Sequence, residues 1–420
     1  MSRVFIVVFT TMFFQMSALS ASFCGLKRIK DPFEGTTPQD VLSVMKKVAD
    51  WQLGNPTGKQ LNSWEYAPFY TGLMALYQTS SDRKYYDAMM DMGKTVNWET
   101  VARPYDANVL AISQVFLELY EMTGQDYMID KSRFVMDATM QRELEPDITF
   151  DKNKYWWEWW SWCDALFMAP PAYARLATLR KEPKYMDHMI REWKRTSAYL
   201  YAPRDSLFFR DDRFFKMKSA NGAKIFWSRG NGWVVGGLAR VLQYLPKDHE
   251  SRSFFENQFR QMCYKLKRLQ MQNGFWSQSL LDPQNYPQKE SSGTGFFVYA
   301  MSWGVNNNLL DRKEFLPVIE KGWKALMTSL HPNGKLGYVQ EVGDAPTNVK
   351  YEDGETYGTG AFLLAGSELY KLLSAGDKAW TPIQEISGNE DRDYAISMLL
   401  KISDPVLDAL AKKNSGNYCR

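Results

Sequence analysis

From Pro68 onward, apolar residues recur at helical spacing, and two textures alternate along the chain. "PFYTGLMALYQTSSDRKYYDAMMDMGKTV" (68–96) reads as an apolar helix, a polar turn and an amphipathic helix. The plan returns in "AISQVFLELYEMTGQDYMIDKSRFVMDAT" (111–139) and in "PAYARLATLRKEPKYMDHMIREWKRTSAYLY" (171–201). It returns again in "WVVGGLARVLQYLP" followed by "ESRSFFENQFRQMCYKLKRLQ", and in "TGFFVYAMSWGVNNNLLDRKEFLPVIEKGWKALMTSL". A last apolar helix is "GTGAFLLAGSELYKLL". Six apolar, small-residue helices spaced roughly 40–65 residues apart are the signature of a repeated helical hairpin.

The first helix of each pair mixes Gly, Ala and Ser with large apolar residues, so it can be enclosed on most sides. The second carries Lys, Arg, Asp and Glu and faces solvent. Inner and outer helices in six pairs predict an all-α fold, a closed (α/α)6 barrel, with an open solenoid as the alternative. The segments before the inner helices are rich in Trp, Gly, Asn and Pro: "LNSWEYAP", "ARPYDANV", "YWWEWWSWCD", "FWSRGNGW", "YPQKESSGTG" and "YEDGETYGTG". They are expected to gather at one end of the barrel and line a cleft. No linker-like stretch divides the chain, so residues 23–420 read as a single domain.

Composition narrows the function. A net charge of +3 over 420 residues gives no electrostatic footprint for nucleic acid. Aromatics at 15% suit large cores and also platforms for the flat faces of sugar rings. The start of the chain, with Arg3, the apolar run "VFIVVFTTMFF" (4–14) and "SALSAS" (17–22), reads as a signal peptide over residues 1–22. A periplasmic or secreted protein is expected, with no membrane span in the mature chain. Cys24 raises a lipoprotein anchor, which Phe23 before it fits poorly. Four cysteines do not make a disulfide framework in a chain this long. Cys163 and Cys263 read as buried thiols, and a Cys24–Cys419 pair has no support. Three scattered histidines (His188, His249, His331) argue against a histidine metal site. Oligomeric state is not legible.

"YWWEWWSWCDALFMAPP" (155–171) places five tryptophans in seven positions just ahead of Asp164. An Asp opening a helix is ordinarily a cap. Ringed by Trp and Phe it is also desolvated, and a carboxyl kept partly protonated is what a general acid requires. In "FWSRGNGW" Arg229 stands between Trp227 and Trp233, with Asn231 beside it, ahead of another inner helix. Such an arginine is either stacked and paired structurally or recognises an anionic sugar. Candidates for a second acid are Asp106, Glu65, and Asp211 or Asp212 in "FFRDDRFF", each of which also fits a cap or a surface ion pair.

"WCDALFMAPP", "FWSRGNGWV", "NGFWSQSLLDP", "ESSGTGFFVYAMSWGVNNNLLD" and "YGTGAFLLAGSELYKL" together resemble glycoside hydrolase family 105, the unsaturated rhamnogalacturonyl hydrolases and related unsaturated glucuronyl hydrolases, from about Trp64 to Leu372. The resemblance implies an (α/α)6 barrel that removes a 4,5-unsaturated uronic acid from the non-reducing end of lyase-generated oligosaccharides, of rhamnogalacturonan type first of all, without metal or organic cofactor. It implies that Asp164 is the general acid/base, that Trp227, Arg229 and Trp233 bind the sugar and its carboxylate, and that Trp162 is a cleft aromatic. Trp64 and Asn231 join these as substrate-binding candidates. Relatives carry an Asp before the second inner helix. Here the in-register residue is Asn108 and the nearest acid is Asp106, so either occupies that position. A Trp-Thr-Asn triplet is replaced by Trp64, Glu65 and Tyr66, and a His after the catalytic helix pair is lacking in "RDSLFFRDDRF". The competing functions are a hydrolase or lyase acting on saturated glycans and a non-catalytic glycan-binding protein.

Overall fold

A computed structural model describes residues 36–103, 105–143, 148–150 and 152–375. The expected signal peptide, Cys24 and Cys419 lie outside the described residues.

Six inner helices form the wall of the barrel: α2 (Ala67–Ser80), α4 (Ser113–Thr123), the split pair α6 (Ala165–Met168) and α7 (Pro170–Arg180), α9 (Ser228–Leu242), α11 (Ser291–Asn306) and α13 (Thr356–Ser374). Each packs on the next, and α13 returns to α2, so the ring is closed rather than an open solenoid. The outer layer is α1 (Pro38–Gly54), α3 (Arg83–Thr95), α5 (Asp130–Met140), α8 (Pro183–Leu200), α10 (Arg252–Leu269) and α12 (Arg312–Met327). The textures of the sequence explain the layers. Every residue of α9 and of α11 is buried, whereas α8 buries one face through Tyr185, Met189, Trp193 and Leu200 and exposes Lys184, Asp187, Arg191 and Lys194. The first outer helix, α1, packs on both α13 and α2 and covers the seam where the chain's two ends of the ring meet.

Two close approaches depend on missing side chains. A Cβ on Gly360 of α13 would lie 2.1 Å from the Pro68 carbonyl oxygen, and one on Gly237 of α9 would lie 2.2 Å from the Leu166 carbonyl oxygen. Only glycine lets these backbones touch.

The third inner helix is broken at Ala169 because Pro170 and Pro171 lack N–H groups. The Phe167 carbonyl that Pro171 leaves without a helical partner accepts instead from Gln114 Nε2 at 2.8 Å. Gln114 Oε1 in turn accepts from Arg240 Nε at 2.5 Å, and buried Glu118 accepts from Arg240 and Arg175 at 2.8 and 2.7 Å. This polar chain ties α4, α7 and α9 together inside an otherwise apolar wall.

One departure from a purely helical chain is the short antiparallel hairpin of β1 (Tyr201–Ala202) and β2 (Leu207–Phe208) after α8. The buried amide of Asn231 clasps β2, accepting from Phe208 N at 2.8 Å and donating to Phe208 O at 3.0 Å. That clasp carries residues 209–213 to the N-terminal end of α9.

Candidate active site

The N-termini of the inner helices meet at one end of the ring. Thr356 at the start of α13 donates to Glu65 O at 2.6 Å, Trp64 stacks on Tyr357 at 5.8 Å, and the Cβ position of Gly230 in α9 lies 3.5 Å from Asp164 Oδ1. Arg229 lies over Tyr357, the Cβ position of Gly293 lies 2.3 Å from Ser228 Oγ, and the turn Ala107–Leu110 packs on α6, so the six segments ahead of the inner helices are linked by contact.

Asp164 occupies the N-cap position of α6 with helical backbone angles, and its side chain makes no capping bond. The ordinary explanation for an Asp at this position is thus absent. Its carboxylate accepts a weak hydrogen bond from Cys163 Sγ at 3.5 Å and has Arg210 Nε 3.5 Å from Oδ2. Burial pushes the carboxyl above the usual range, against the pull of Arg210 and Arg229. Trp162 is buried edge-on against Trp156, with ring centroids 5.2 Å apart.

Asp106 does act as a cap. Its Oδ1 accepts from Asn108 N at 2.9 Å at the start of the 3-10 turn Ala107–Leu110, and Arg103 Nη1 stands 3.2 Å from Oδ2. Burial nevertheless pushes it up to about 6. The turn packs directly on α6, so Asp106 and half-buried Asn108 are adjacent to the helix that Asp164 opens. Of the other acids considered, Asp211 is fully buried and accepts from Arg210 Nη1 at 2.7 Å and from Arg213 Nε and Nη2 at 2.8 Å. Asp212 accepts from Phe150 N and from the Tyr199 hydroxyl, and Glu65 lies 3.7 Å from Lys59 Nζ.

The residues of "FWSRGNGW" sit differently from the expectation that all four precede the helix. Helix α9 starts at Ser228, so Arg229, Asn231 and Trp233 lie within its first two turns and only Trp227 precedes it. The Ser228 N–H, which the helix itself cannot satisfy, is met by Gln278 O at 2.8 Å. Arg229 is 1% exposed and donates to Gln340 O at 2.6 Å and Glu341 O at 2.9 Å. Its guanidinium lies over the rings of Trp227 and Tyr357 at 4.4 and 4.8 Å. Its Nε, also buried, makes no hydrogen bond among the described residues. Trp227 donates Nε1–H to Gln340 Oε1 at 2.9 Å, and Trp233 packs on Phe167 and Phe296 at 5.0 and 4.6 Å. Trp64 remains half-buried, one face on Tyr357.

Arg210 was missed. "FFRDDRFF" was read for its acids, but the arginine that opens its charged centre is the group beside Asp164. Its backbone oxygen accepts from Cys163 N at 2.8 Å, which ties the two segments together. The signal was present in an arginine flanked by Phe and Asp, yet its proximity to Asp164 is a contact across 46 positions that only folding makes. Among the described residues, no cluster of His, Cys, Asp and Glu has the makings of a metal site.

A closed ring of helical hairpins with an uncapped, desolvated carboxyl at its mouth defines a glycosidase of the (α/α)6 class. The family profile described as Glycosyl Hydrolase Family 88 matches residues 28–373, and the chain belongs to that family. It is 36% identical over 353 residues to the unsaturated 3S-rhamnoglycuronyl hydrolase of Formosa agariphila, covering 81% of this chain and 93% of the relative. It is 35% identical over 358 residues to the enzyme of the same name from an Alteromonas species, covering 79% and 87%. The solved glycosyl hydrolase family 88 structure from Bacteroides vulgatus superposes with a TM-score of 0.74 at 27% identity, covering 80% of this chain and all of that one.

Proposed function

We propose that this protein removes a 4,5-unsaturated uronic acid from the non-reducing end of lyase-generated oligosaccharides, with rhamnose as the sugar that follows. The observation that carries this reading is Asp164: a buried carboxyl at a helix start, without a capping bond, held above its usual range at the mouth of the barrel. The names of the two relatives support an unsaturated uronate linked to rhamnose.

In such a substrate C4=C5 is an enol ether through the ring oxygen. Asp164 donates a proton to C4, and positive charge develops at C5, shared with the ring oxygen. Water adds at C5, and its proton returns to the Asp164 carboxylate. The product is a hemiketal. It opens to a C5 ketone and leaves a hemiacetal at C1, from which the following sugar departs. No attack at the anomeric carbon is needed, unlike the two-carboxylate schemes. Asp106, next to α6, is the second acid of the site and assists in placing the water, while Asn108 and Trp64 contribute to the sugar's surroundings. The buried Trp162, Trp227, Asn231 and Trp233 shape the floor rather than present faces.

Export follows from the apolar leader of residues 4–14, and N-terminal sequencing of protein recovered from periplasm and medium tests it. Catalysis is tested with a lyase-generated disaccharide, whose double bond absorbs in the ultraviolet. Addition of the protein is expected to abolish the absorbance. Persistent absorbance, with saturated glycans cut or merely bound instead, sinks the proposal.

A further inference from the structure

We infer that Cys163 is a positioning residue for the reaction proposed above: its thiol pins Oδ1 of Asp164 and leaves Oδ2 as the oxygen that passes the proton. This rests on Asp164 being the proton donor.

The first argument is the scarcity of anchors. Asp164 makes no capping bond, and Arg210 Nε, 3.5 Å from Oδ2, is not hydrogen-bonded to it. The one hydrogen bond to this carboxylate among the described residues comes from Cys163 Sγ, 3.5 Å from Oδ1. The terminal torsion of an Asp is broad, so a carboxyl turns unless something holds one of its oxygens. Proton transfer needs the donating oxygen already aimed at the accepting atom.

The second is the seat of the thiol. Cys163 is fully buried. Its N–H donates to Arg210 O at 2.8 Å, and its carbonyl accepts from Leu166 N at 3.1 Å, so its backbone is fixed on both sides. A Cβ on Gly230 would lie 3.0 Å from Sγ and 3.5 Å from Oδ1. Helix α9 therefore closes the space behind both atoms, and Oδ1 is turned toward protein.

The third is donor strength. Burial, with the Asp164 carboxylate beside it, holds the thiol well above its ordinary range, so it stays a neutral donor. A hydroxyl or a backbone N–H would bind the ionised carboxylate strongly and lower its pKa. An S–H is a weak donor, and it orients the acid with little loss of protonation. A thiol at this place suits an acid that must keep its proton.

The charged groups facing Asp164 are Arg210 and Asp211 from the segment after β2 and Arg229 from α9. The turn packed on α6 carries Asp106 with its partner Arg103, and α7 carries Arg175 and Arg180. Substitution of Cys163 alters none of them.

The test follows kcat on the lyase-generated disaccharide against pH. Cys163→Ala is expected to lower kcat roughly 3–10-fold with KM within about twofold of wild type. It also removes a donor to the ionised acid, so the alkaline fall of kcat is expected to move up by roughly 0.3–0.5 pH unit. Cys163→Ser returns a donor and is expected to recover kcat and to bring the fall back to the wild-type pH or below it. Cys163→Val returns the bulk without a donor and is expected to stay with Cys163→Ala. Recovery by Val and not by Ser marks Cys163 as packing and overturns the inference, as does a fall that stays in place in all three. Infrared titration reads the contact without turnover. The S–H stretching band that Cys163→Ser lacks is expected to shift to higher frequency as falling pH protonates Asp164 in wild type, and to ignore pH in Asp164→Asn. A band that ignores pH in wild type overturns the inference. If wild type leaves the disaccharide uncleared, the function proposed above fails, and the infrared titration still decides the role of the thiol.

Discussion

Arg210 Nε and Asp164 Oδ2 stand 3.5 Å apart with no hydrogen bond joining them. The arginine lowers the acid's affinity for protons while burial raises it, and burial prevails. A proton donor works only below its own pKa, so kcat is expected to fall as pH climbs through that of Asp164. Removing the opposing positive charge in Arg210→Met must move this fall to higher pH. A pH profile at saturating substrate checks it, and an unmoved or acid-shifted limb contradicts the assigned pairing.

Asp164→Asn is expected to lower turnover of the unsaturated disaccharide by roughly 10²–10⁴-fold. Its melting temperature should stay level or rise at neutral pH. A carboxyl with a raised folded-state pKa binds its proton more tightly in the native state, so its ionised form opposes folding above that pKa. Retained turnover would remove Asp164 from the mechanism, and a fall in melting temperature would mark it as structural.

Asp106 gives a pH-dependent stability. Burial carries it from 3.8 in the free residue up to about 6 in the fold. Between these values the native state holds more protons than the unfolded chain, so this group's contribution declines as pH rises from about 4 to about 6 and stays unfavourable above. The full effect is at most about 3 kcal/mol. Asp106→Asn keeps an oxygen for the Asn108 N–H. It is therefore expected to be more stable than wild type at pH 7 and not at pH 4, as read by urea unfolding at both values.

Arg229→Met leaves the Glu341 carbonyl without its donor, while the Gln340 carbonyl keeps the Tyr357 hydroxyl at 2.6 Å. The expected loss of stability is about 1.5–3 kcal/mol, that of one charge-assisted bond whose buried acceptor is left unmet. Denaturant midpoints measure it, and a loss under about 1 kcal/mol would show that the guanidinium is less engaged than its geometry implies.

Gly360→Ala drives a methyl group toward the Pro68 carbonyl at the contact of α2 with α13. Since both sides are backbone, the wall must shift, at a cost of roughly 1–3 kcal/mol or more. Gly58→Ala, with nothing within 4 Å, is the control and is expected to change stability by about 0.5 kcal/mol or less. Equal thermal midpoints for the two would argue against the tight closure.

Much of this architecture was legible in the chain. Helical periodicity separated helices buried all round, such as α9 and α11, from one-sided ones such as α8, because hydrophobic burial is written directly into residue order. The six polar and aromatic segments ahead of the inner helices were legible for the same reason, and so was Asp164. One of its contacts, Cys163, is its neighbour in sequence.

The employment of each charged group was decided elsewhere. Nothing local told that Asp106 would cap a turn while Asp164 would not, since both stand at helix starts. The difference lies in which atoms each carboxylate meets: a backbone N–H two residues on in one case, and Cys163 with Arg210 in the other. The terminal nitrogens of Arg229 meet the carbonyls of Gln340 and Glu341, more than a hundred residues away, a pairing no local pattern announces. Arg210 is brought to the acid by the Asn231 clasp on β2 and by the bond from Cys163 N to its own carbonyl. Apolar burial adds over many residues and leaves a periodic trace in sequence, whereas a hydrogen bond requires atoms to meet within a few tenths of an ångström, and for distant segments the closed ring alone sets that distance.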